Sequence, residues 1–449
     1  MNAGLYAGFA RIDVTPMLGI DLEGYYVKRT AKGILDKLEI NALAISDGTE
    51  KAILISTDQC MLETDVAEVF RQKISEATGI KESAIYIHAT HTHTAPLLKA
   101  SSDHKLERDY FTQMCYKMTD AAVLAIQDMK PARMGWGIGT APHIAFVRRF
   151  RMKDGSISTN PGVNNPDIVE PVGDVDERVS VLRFDRSEGK TILLIHFANH
   201  PDVVGGEKIS ADWPGLLRKD VEKILPETEC IFFNGAQGDV NHVNVHPKGG
   251  DFNDMFLDFD GVSRGYGHAR YMARVVTGAV LQVYDKVQYT QEVKVHTAQR
   301  DILVPSNMPT PEEAAEAKKI EKLHREGKDA ELPYQGMMLT TVVAEAERMV
   351  KLEYGPAEFQ MKLSALSIGN IALIGIPGEP FMEIGRQLKK APEWELVLPT
   401  CITNGYEGYF PMRNAYEEGG YEARSSRFKT GVAELIVEEG LELLKEVRL

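Results

Sequence analysis

His91 and His93 stand two apart in Ala89-Thr90-His91-Thr92-His93, directly after the apolar run Ala84–Ile87. In an extended backbone such residues face the same side, which suits shared metal coordination or a ligand beside a proton donor. Hydrogen-bonded structural histidines are the plainer reading of the same spacing. His200 closes another apolar run, Thr191–Phe197, and Pro201 stops the strand just beyond it. A buried imidazole there needs a partner, and a metal or a main-chain group would each serve. Glu379 follows Pro377-Gly378 and precedes Pro380, where a carboxylate suits either a metal or a helix start.

Other polar clusters also follow apolar runs at once: Thr57-Asp58, Asn234-Gly235-Ala236-Gln237-Gly238-Asp239 and Asn404-Gly405-Tyr406-Glu407-Gly408-Tyr409. In α/β sheets the carboxyl ends of strands are where ligand sites gather, so these segments are candidates for one shared rim. His242 and His246 are four apart, but Asn244 and Pro247 argue for a loop near the site rather than a helix face. Asn234–Asp239 lacks the Lys and Ser/Thr of a phosphate-binding loop, which excludes that type of nucleotide site. Gly135-Trp136-Gly137-Ile138-Gly139 misses the dinucleotide fingerprint, and no GxSxG elbow is present.

The elements that must position these residues alternate. Strands are expected at Tyr6–Val14, Ile40–Ile45, Ala52–Thr57, Ala84–Ala89, Arg178–Phe184, Thr191–Ala198, Cys230–Asn234, Val293–Leu303, Lys362–Ile368, Ile371–Ile376 and Glu395–Ile402. Helices are expected at Glu63–Thr78, Glu107–Met129, Pro214–Ile224, Gly265–Tyr284, Pro380–Leu388 and Lys429–Val447. This order predicts an α/β fold, a mixed β-sheet flanked by helices. Met152–Asp176 reads as a surface loop near a binding face. Thr310–Val350 reads as two charged helices around a Gly327–Pro333 break, a helical insertion at about 310–350 whose plain role is a solvated hairpin and whose alternative is a partner or lid surface.

The chain has 449 residues, 43% hydrophobic and 26% charged, an ordinary globular make-up. Lys plus Arg total 51 against 65 Asp plus Glu, a formal charge of −14, which disfavours nucleic acid and anionic membrane surfaces as partners. No apolar run is long enough for a spanning helix, so no integral membrane segment is expected. Cys60, Cys115, Cys230 and Cys401 form no CxxC pair and read as buried free thiols of a reducing compartment. With no basic stretch and apolar run at the N-terminus, the expected location is cytoplasmic.

Taken together the segments resemble the neutral (non-lysosomal) ceramidase family, in its N-terminal catalytic domain. The resemblance begins at Ala7-Gly8-Phe9-Ala10-Arg11-Ile12-Asp13-Val14-Thr15-Pro16 and Thr57-Asp58, and continues through Ala89-Thr90-His91-Thr92-His93-Thr94-Ala95-Pro96. It extends over Ser210-Ala211-Asp212-Trp213-Pro214-Gly215, Gly238-Asp239-Val240, Pro377-Gly378-Glu379, Asn404-Gly405-Tyr406-Glu407-Gly408-Tyr409 and Tyr421-Glu422, in the family's order across most of residues 1–449. It implies one ceramidase-like domain and a single zinc ion held by His91, His200, Glu379 and Tyr409. His93 would contact the reacting group, with Tyr421 and Arg148, or its neighbour Arg149, in the same pocket. Asp58 and Asp239 would orient the histidines.

The sequence departs from the family in three ways. Asn241 stands where the family has an active-site serine, and, with about forty residues following Tyr409, neither the family's C-terminal immunoglobulin-like domain nor an export signal is expected. The implied activity is hydrolysis of an N-acyl amide on a small-molecule substrate. The alternatives are ester, phosphoester or carbohydrate chemistry at the same metal, or a ligand-binding homologue without turnover.

Overall fold

Several apolar runs in this chain are nearly continuous rather than alternating, which is the pattern of strands buried on both faces. The computed structural model describes residues 4–253, 265–291 and 293–448. Its larger sheet is built from β1 (Leu5–Asp13), β2 (Glu39–Ser46), β3 (Lys51–Thr57), β4 (Ile85–Ala89), β5 (Lys130–Thr140), β6 (Arg178–Arg186), β7 (Thr191–Phe197), β8 (Thr228–Asn234) and β9 (Gln288–Tyr289). The spatial order is β8-β7-β6-β5-β1-β2-β3-β4, with β9 added against β5. Most neighbours are antiparallel; β3–β4 and β7–β8 are parallel. The smaller sheet runs β10 (Val295–Pro305), β11 (Glu358–Ile368), β12 (Ile371–Gly375) and β13 (Leu396–Thr400), with β12–β13 parallel. A mixed α/β fold is what the sequence pattern predicts.

Successive residues of one strand enter different cores. Leu194, Ile231 and Phe233 join an interior that also holds Leu43, Ile53, Leu366 and Leu373, so both sheets share it. Their neighbours Leu193, Ile195 and Phe232 face a second core under α3 (Asp212–Ile224) and α4 (Tyr266–Val283). In the smaller sheet Ala372 and Ile374 pack into a third core with Leu388 and Leu443. Helices α1 (Thr64–Thr78) and α2 (Lys105–Gln127) cover the first core from outside, burying Phe70, Ile74, Met114 and Met118.

Gly135-Trp136-Gly137-Ile138-Gly139 belongs to β5, a strand that the reading from sequence left unassigned. Its glycines recur every second residue and so lie on one face, against α4 and the turn after it. A Cβ on Gly139 would stand 2.1 Å from the Ala279 carbonyl oxygen, and one on Gly137 3.0 Å from Val283. The motif is a helix-packing surface.

Two expectations need correction. Met152–Asp176 is not all loop: Ile157–Thr159 and Ile168–Pro171 both pair with Arg149–Met152 in a small antiparallel sheet. The insertion does form two helices, α5 (Pro311–Arg325) and α6 (Gly336–Leu352), and α5 starts with a Thr310–Glu313 capping box. It is no freely solvated hairpin, because α6 buries Val342, Val343, Ala344 and Arg348. Arg424 pairs with Glu345 on that helix, fastening it to the segment that carries Tyr421.

Replacing Gly139 with Ala forces β5 away from α4. The expected loss is about 1–3 kcal/mol of unfolding free energy, the usual range for overpacking, measured by urea denaturation; an unchanged midpoint would refute the packing role.

Candidate metal centre

Three parallel strand pairs end at one place. From β4 the chain runs into His91 and His93, from β7 into His200, from β8 into Gln237, from β12 into Glu379, and from β13 into Tyr406 and Tyr409. His88 joins the three pairs. Its Nδ1–H donates to the Cys401 carbonyl at 2.7 Å, and its Nε2 accepts from the Asn234 N–H at 2.9 Å. Burial holds this imidazole neutral, its pKa lowered to about 3. His196 does similar work, donating to the Pro399 carbonyl at 2.7 Å, and burial lowers its pKa to about 3 as well.

The local backbone differs from the extended segment that the His91–His93 spacing suggests. His91 adopts φ 77°, a left-handed conformation uncommon outside glycine, so its ring is aimed by a kink and not by strand alternation. The hydroxyls of Thr92 and Thr94 both donate to the Ser210 carbonyl, at 2.7 and 3.1 Å, and secure the kinked loop. Gly378 has a comparable role before Glu379: at φ 154° its Cβ would lie 2.4 Å from the Gly408 carbonyl oxygen. Only glycine admits that approach, which lets Glu379–Pro380 pair with Tyr409–Phe410.

Within this frame His91, His200 and Glu379 converge. The two Nε2 atoms are 3.1 Å apart, and Glu379 Oε2 lies 3.3 Å from the first and 3.6 Å from the second. Two ligand atoms ~2.05 Å from one cation at a tetrahedral angle are separated by about 3.3 Å. The Nδ1 atom of His91 is 2.6 Å from the Cys60 carbonyl oxygen and that of His200 is 3.4 Å from the Gln237 carbonyl oxygen. A carbonyl only accepts, so each ring carries its proton on Nδ1 and turns a lone pair inward from Nε2. Lone pairs and a carboxylate at such separations repel one another unless a cation lies between them, and the donor set fits a metal ion. The residues are almost wholly buried, His91 at 2%, His200 at 1% and Glu379 at 1% exposure.

Electrostatics follow from this packing. Burial, followed by the neighbouring cationic Arg148, drives the His200 pKa well down. For His91 the burial penalty is exceeded by the Glu379 carboxylate, which raises the imidazole pKa. The same pairing overcomes burial at Glu379 and lowers its pKa to about 2. Glu379 also accepts from the Tyr406 hydroxyl at 2.8 Å and from Gln237 Nε2 at 3.2 Å.

His93 lies beside the set, its Nε2 3.2 Å from that of His91 and its Nδ1 3.6 Å from Asp202. Tyr409 and Tyr421 pack edge to face, ring centroids 5.5 Å apart, and the Arg148 guanidinium sits 5.3 Å from the Tyr409 ring centre. Arg148 is held by Glu422 at 2.6 Å and the Gly238 carbonyl at 2.7 Å, whereas Arg149 turns to Glu418 and Gly419. Of the two arginines, Arg148 is the one at the site. His91, His93, Glu379, Tyr409 and Tyr421 all line a cavity of about 760 Å³.

Three expected site residues are elsewhere. Asn241 bonds Asn160 at 2.9 Å and the Val243 N–H at 3.0 Å, away from the cavity wall. Asp58 pairs with Arg218 at 2.6 Å and accepts from the Glu39 N–H at 2.9 Å and the Thr90 hydroxyl at 3.3 Å, bonding neither histidine. Asp239 accepts from the Met382 N–H at 2.7 Å. Main-chain carbonyls, not these carboxylates, orient His91 and His200. His242 is buried against His268, ring centroids 5.7 Å apart, and takes no part in the cavity wall.

Four participants escaped the sequence reading: Cys60, Asp202, Gln237 and Tyr406. Asp202 was signalled only by lying two residues after His200, and Tyr406 by sharing a motif with Tyr409. Cys60, His91 and His93 form a second cluster able to hold a metal. Its sulfur is 3.8 Å from His91 Nδ1, the nitrogen already engaged by a carbonyl, and burial pushes the thiol pKa well up. The set built on Glu379 is the better ligand geometry.

No family model matches the chain. Among curated proteins it is similar to neutral ceramidase A of Dictyostelium discoideum, 21% identical over 505 residues, which cover 92% of this chain and 68% of that protein. Among solved structures it is similar to the neutral ceramidase from Pseudomonas aeruginosa, TM-score 0.73 at 16% identity, covering 100% of this chain and 76% of that one. A ceramidase structure complexed with C2 gives a TM-score of 0.72 at 15% identity, covering 99% and 76%. The family resemblance carried by the sequence motifs is borne out.

Glu379→Gln and His200→Ala are expected to lose stoichiometric metal, read by inductively coupled plasma mass spectrometry, while Cys60→Ser keeps it. The reverse pattern would move the centre to the cysteine cluster. His88 and His196 are neutral when folded and take up protons on unfolding below their ordinary pKa of ~6.5. Their folded pKa values of about 3 make this contribution full above that pH and progressively lost as pH falls towards 3. Urea denaturation between pH 6.5 and 5 should show stability falling with acid, with a shallower slope in the His88→Gln, His196→Gln double variant.

Proposed function

We propose that this chain, with its neutral ceramidase-like fold, is a zinc-dependent hydrolase that cleaves an N-acyl amide bond in a small-molecule substrate. The observation that carries the reading is the convergence of two inward Nε2 lone pairs and one carboxylate oxygen, 3.1 to 3.6 Å apart, at the base of an open cavity. Imidazole and carboxylate donors suit zinc. When bound, such an ion supplies a Lewis acid that polarises an acyl carbonyl and makes water a nucleophile at neutral pH.

The chain's own residues would do the rest. His91, His200 and Glu379 hold the ion, and Tyr409 stands at the same wall as the fourth candidate ligand. Burial and the Glu379 carboxylate raise the Tyr409 pKa well above its ordinary value, so the phenol keeps its proton unless a cation is beside it. Arg148, close to both tyrosine rings, adds positive potential where an acyl oxygen would gain charge.

His93 is the group placed to hold or pass a proton. Burial keeps it neutral, its pKa lowered to about 3, and Asp202 beside Nδ1 orients the ring. Its Nε2 faces the metal set, within reach of the acyl oxygen or the departing amine nitrogen of a substrate lodged there. Tyr421, whose hydroxyl donates to that of Tyr26 at 3.4 Å, shapes the wall opposite. Four buried free thiols support a reducing, cytoplasmic setting.

Matched acyl-amide, acyl-ester and phosphoester substrates test the assignment. Amide hydrolysis is expected to vanish with chelator and return with zinc, and His93→Ala should lower kcat by roughly 10²–10⁴ while metal content stays intact. Full amide turnover in chelated protein, or turnover confined to the phosphoester, would overturn it.

A further inference from the structure

The cavity is lined both by residues that follow the β-strand ends and by residues of the inserted helices, and its basic side chains are not alike. Lys28 has Asp21 at 2.8 Å, Arg325 has Glu321 at 2.5 Å, Lys351 has Glu347 at 2.6 Å, and Arg427 has Glu407 at 2.9 Å. Arg348 lines the same cavity and, among the described residues, has no carboxylate within ion-pair reach. Its side chain is buried, the residue being only 9% exposed.

The hydrogen bonds of Arg348 go to main-chain oxygens, Nε to the Arg424 carbonyl at 2.9 Å and Nη1 to the Asn307 carbonyl at 2.6 Å. The carboxylates whose field reaches it are Glu345 and Glu313. Both are engaged: Glu345 accepts from Arg424 Nε at 3.0 Å, and Glu313 closes the capping box with the Thr310 N–H at 2.8 Å. Burial lowers the guanidinium pKa, the opposite of what an ion-paired arginine shows. Among the described residues Nη2 has no acceptor, on a side chain that lines the cavity. A guanidinium offers five donors in a planar fork, and one buried without a counter-charge is unfavourable unless something else supplies the charge.

We propose that Arg348 is a specificity-determining residue that receives an oxyanion, carboxylate, sulfonate or phosphate, carried by the substrate at the end remote from the scissile amide. The substrate class is then an anionic, water-soluble acyl compound rather than a neutral lipid. This rests on the amide-hydrolase reading for the bond cleaved but not for the anion bound. A neutral acyl lipid would dry Arg348 without pairing it, whereas an oxyanion would complete its fork.

The test uses one acyl chain with different ends: N-hexanoylglycine, N-hexanoyltaurine and N-hexanoylphosphoethanolamine against neutral N-hexanoylglycinamide. In calorimetric titration of chelated, metal-free protein, at least one anionic compound should bind about tenfold or more tighter than the neutral one, and which one does so identifies the oxyanion. Arg348→Gln should abolish that preference and Arg348→Lys should keep part of it. In zinc-loaded enzyme, Arg348→Gln should raise KM for the preferred anion about 10- to 100-fold with kcat and the neutral compound little changed. Equal binding of all four compounds by the wild type overturns the proposal without recourse to a variant. Anion-selective binding with no turnover of any compound would instead overturn the hydrolase reading and leave the Arg348 assignment standing.

Discussion

A neutral imidazole carries one ring proton, and in this protein the main chain decides which nitrogen holds it. His88, His91 and His200 each present Nδ1 to a carbonyl, from Cys401, Cys60 and Gln237 respectively. For His88 the exposed lone pair then meets the Asn234 N–H, and the ring becomes a structural joint. For His91 and His200 the lone pairs meet each other and Glu379. The same local chemistry gives a satisfied core residue in one case and a candidate metal centre in the other. What differs is only the group presented to Nε2.

That arrangement depends on strand ends far apart in sequence arriving together. Cys401 donates its N–H to the Asn234 carbonyl at 3.1 Å, and Asn404 donates to the Ile87 carbonyl at 2.8 Å, so the smaller sheet is stitched to both halves of the larger one at the level of the site. The backbone adopts unusual conformations where this stitching occurs: Ile402 and Asn404 have φ of 40° and 57°, and His91 has 77°. A β-branched residue in that region is strained, and it persists because the surrounding bonds over-determine it. Buried ions further out serve the same end. Arg218 on α3 pairs with Asp58 at the end of β3, and removal of either partner would strand a charge in the core.

The sequence was legible where one physical signal dominated. Apolar runs such as Ile192–Phe197 announced strands because both faces are buried, and the polar residues directly after them marked the rim. Strand β5 was illegible because Gly135, Gly137 and Gly139 remove the side chains from which alternation is read, and the reason for their absence is a helix that only the fold brings near. The two-residue spacing of His91 and His93 points to a shared site through an extended backbone, whereas in the fold a left-handed residue does the aiming. Asp58 and Asp239 were chosen as orienting carboxylates by analogy with common metal sites. Backbone carbonyls fill that role here, and no sequence carries a signal for a carbonyl. Asn241 illustrates the converse, a position singled out by comparison whose side chain is spent on Asn160 and the Val243 N–H.

Two parts of the cavity therefore answer to different constraints. The end that carries the candidate ligands is set by the ends of β4, β7, β12 and β13, and a shift of any one of these moves a candidate ligand. The other wall comes from α6 and the short helix Tyr421–Ser425, joined by the pairing of Arg424 with Glu345 and by the bonds from Arg348 to main-chain oxygens. The fold shared with ceramidases fixes where the donor atoms meet, and the other wall shapes the space in front of them. In this chain that wall offers the buried guanidinium of Arg348 and the hydrogen-bonded hydroxyls of Tyr26 and Tyr421.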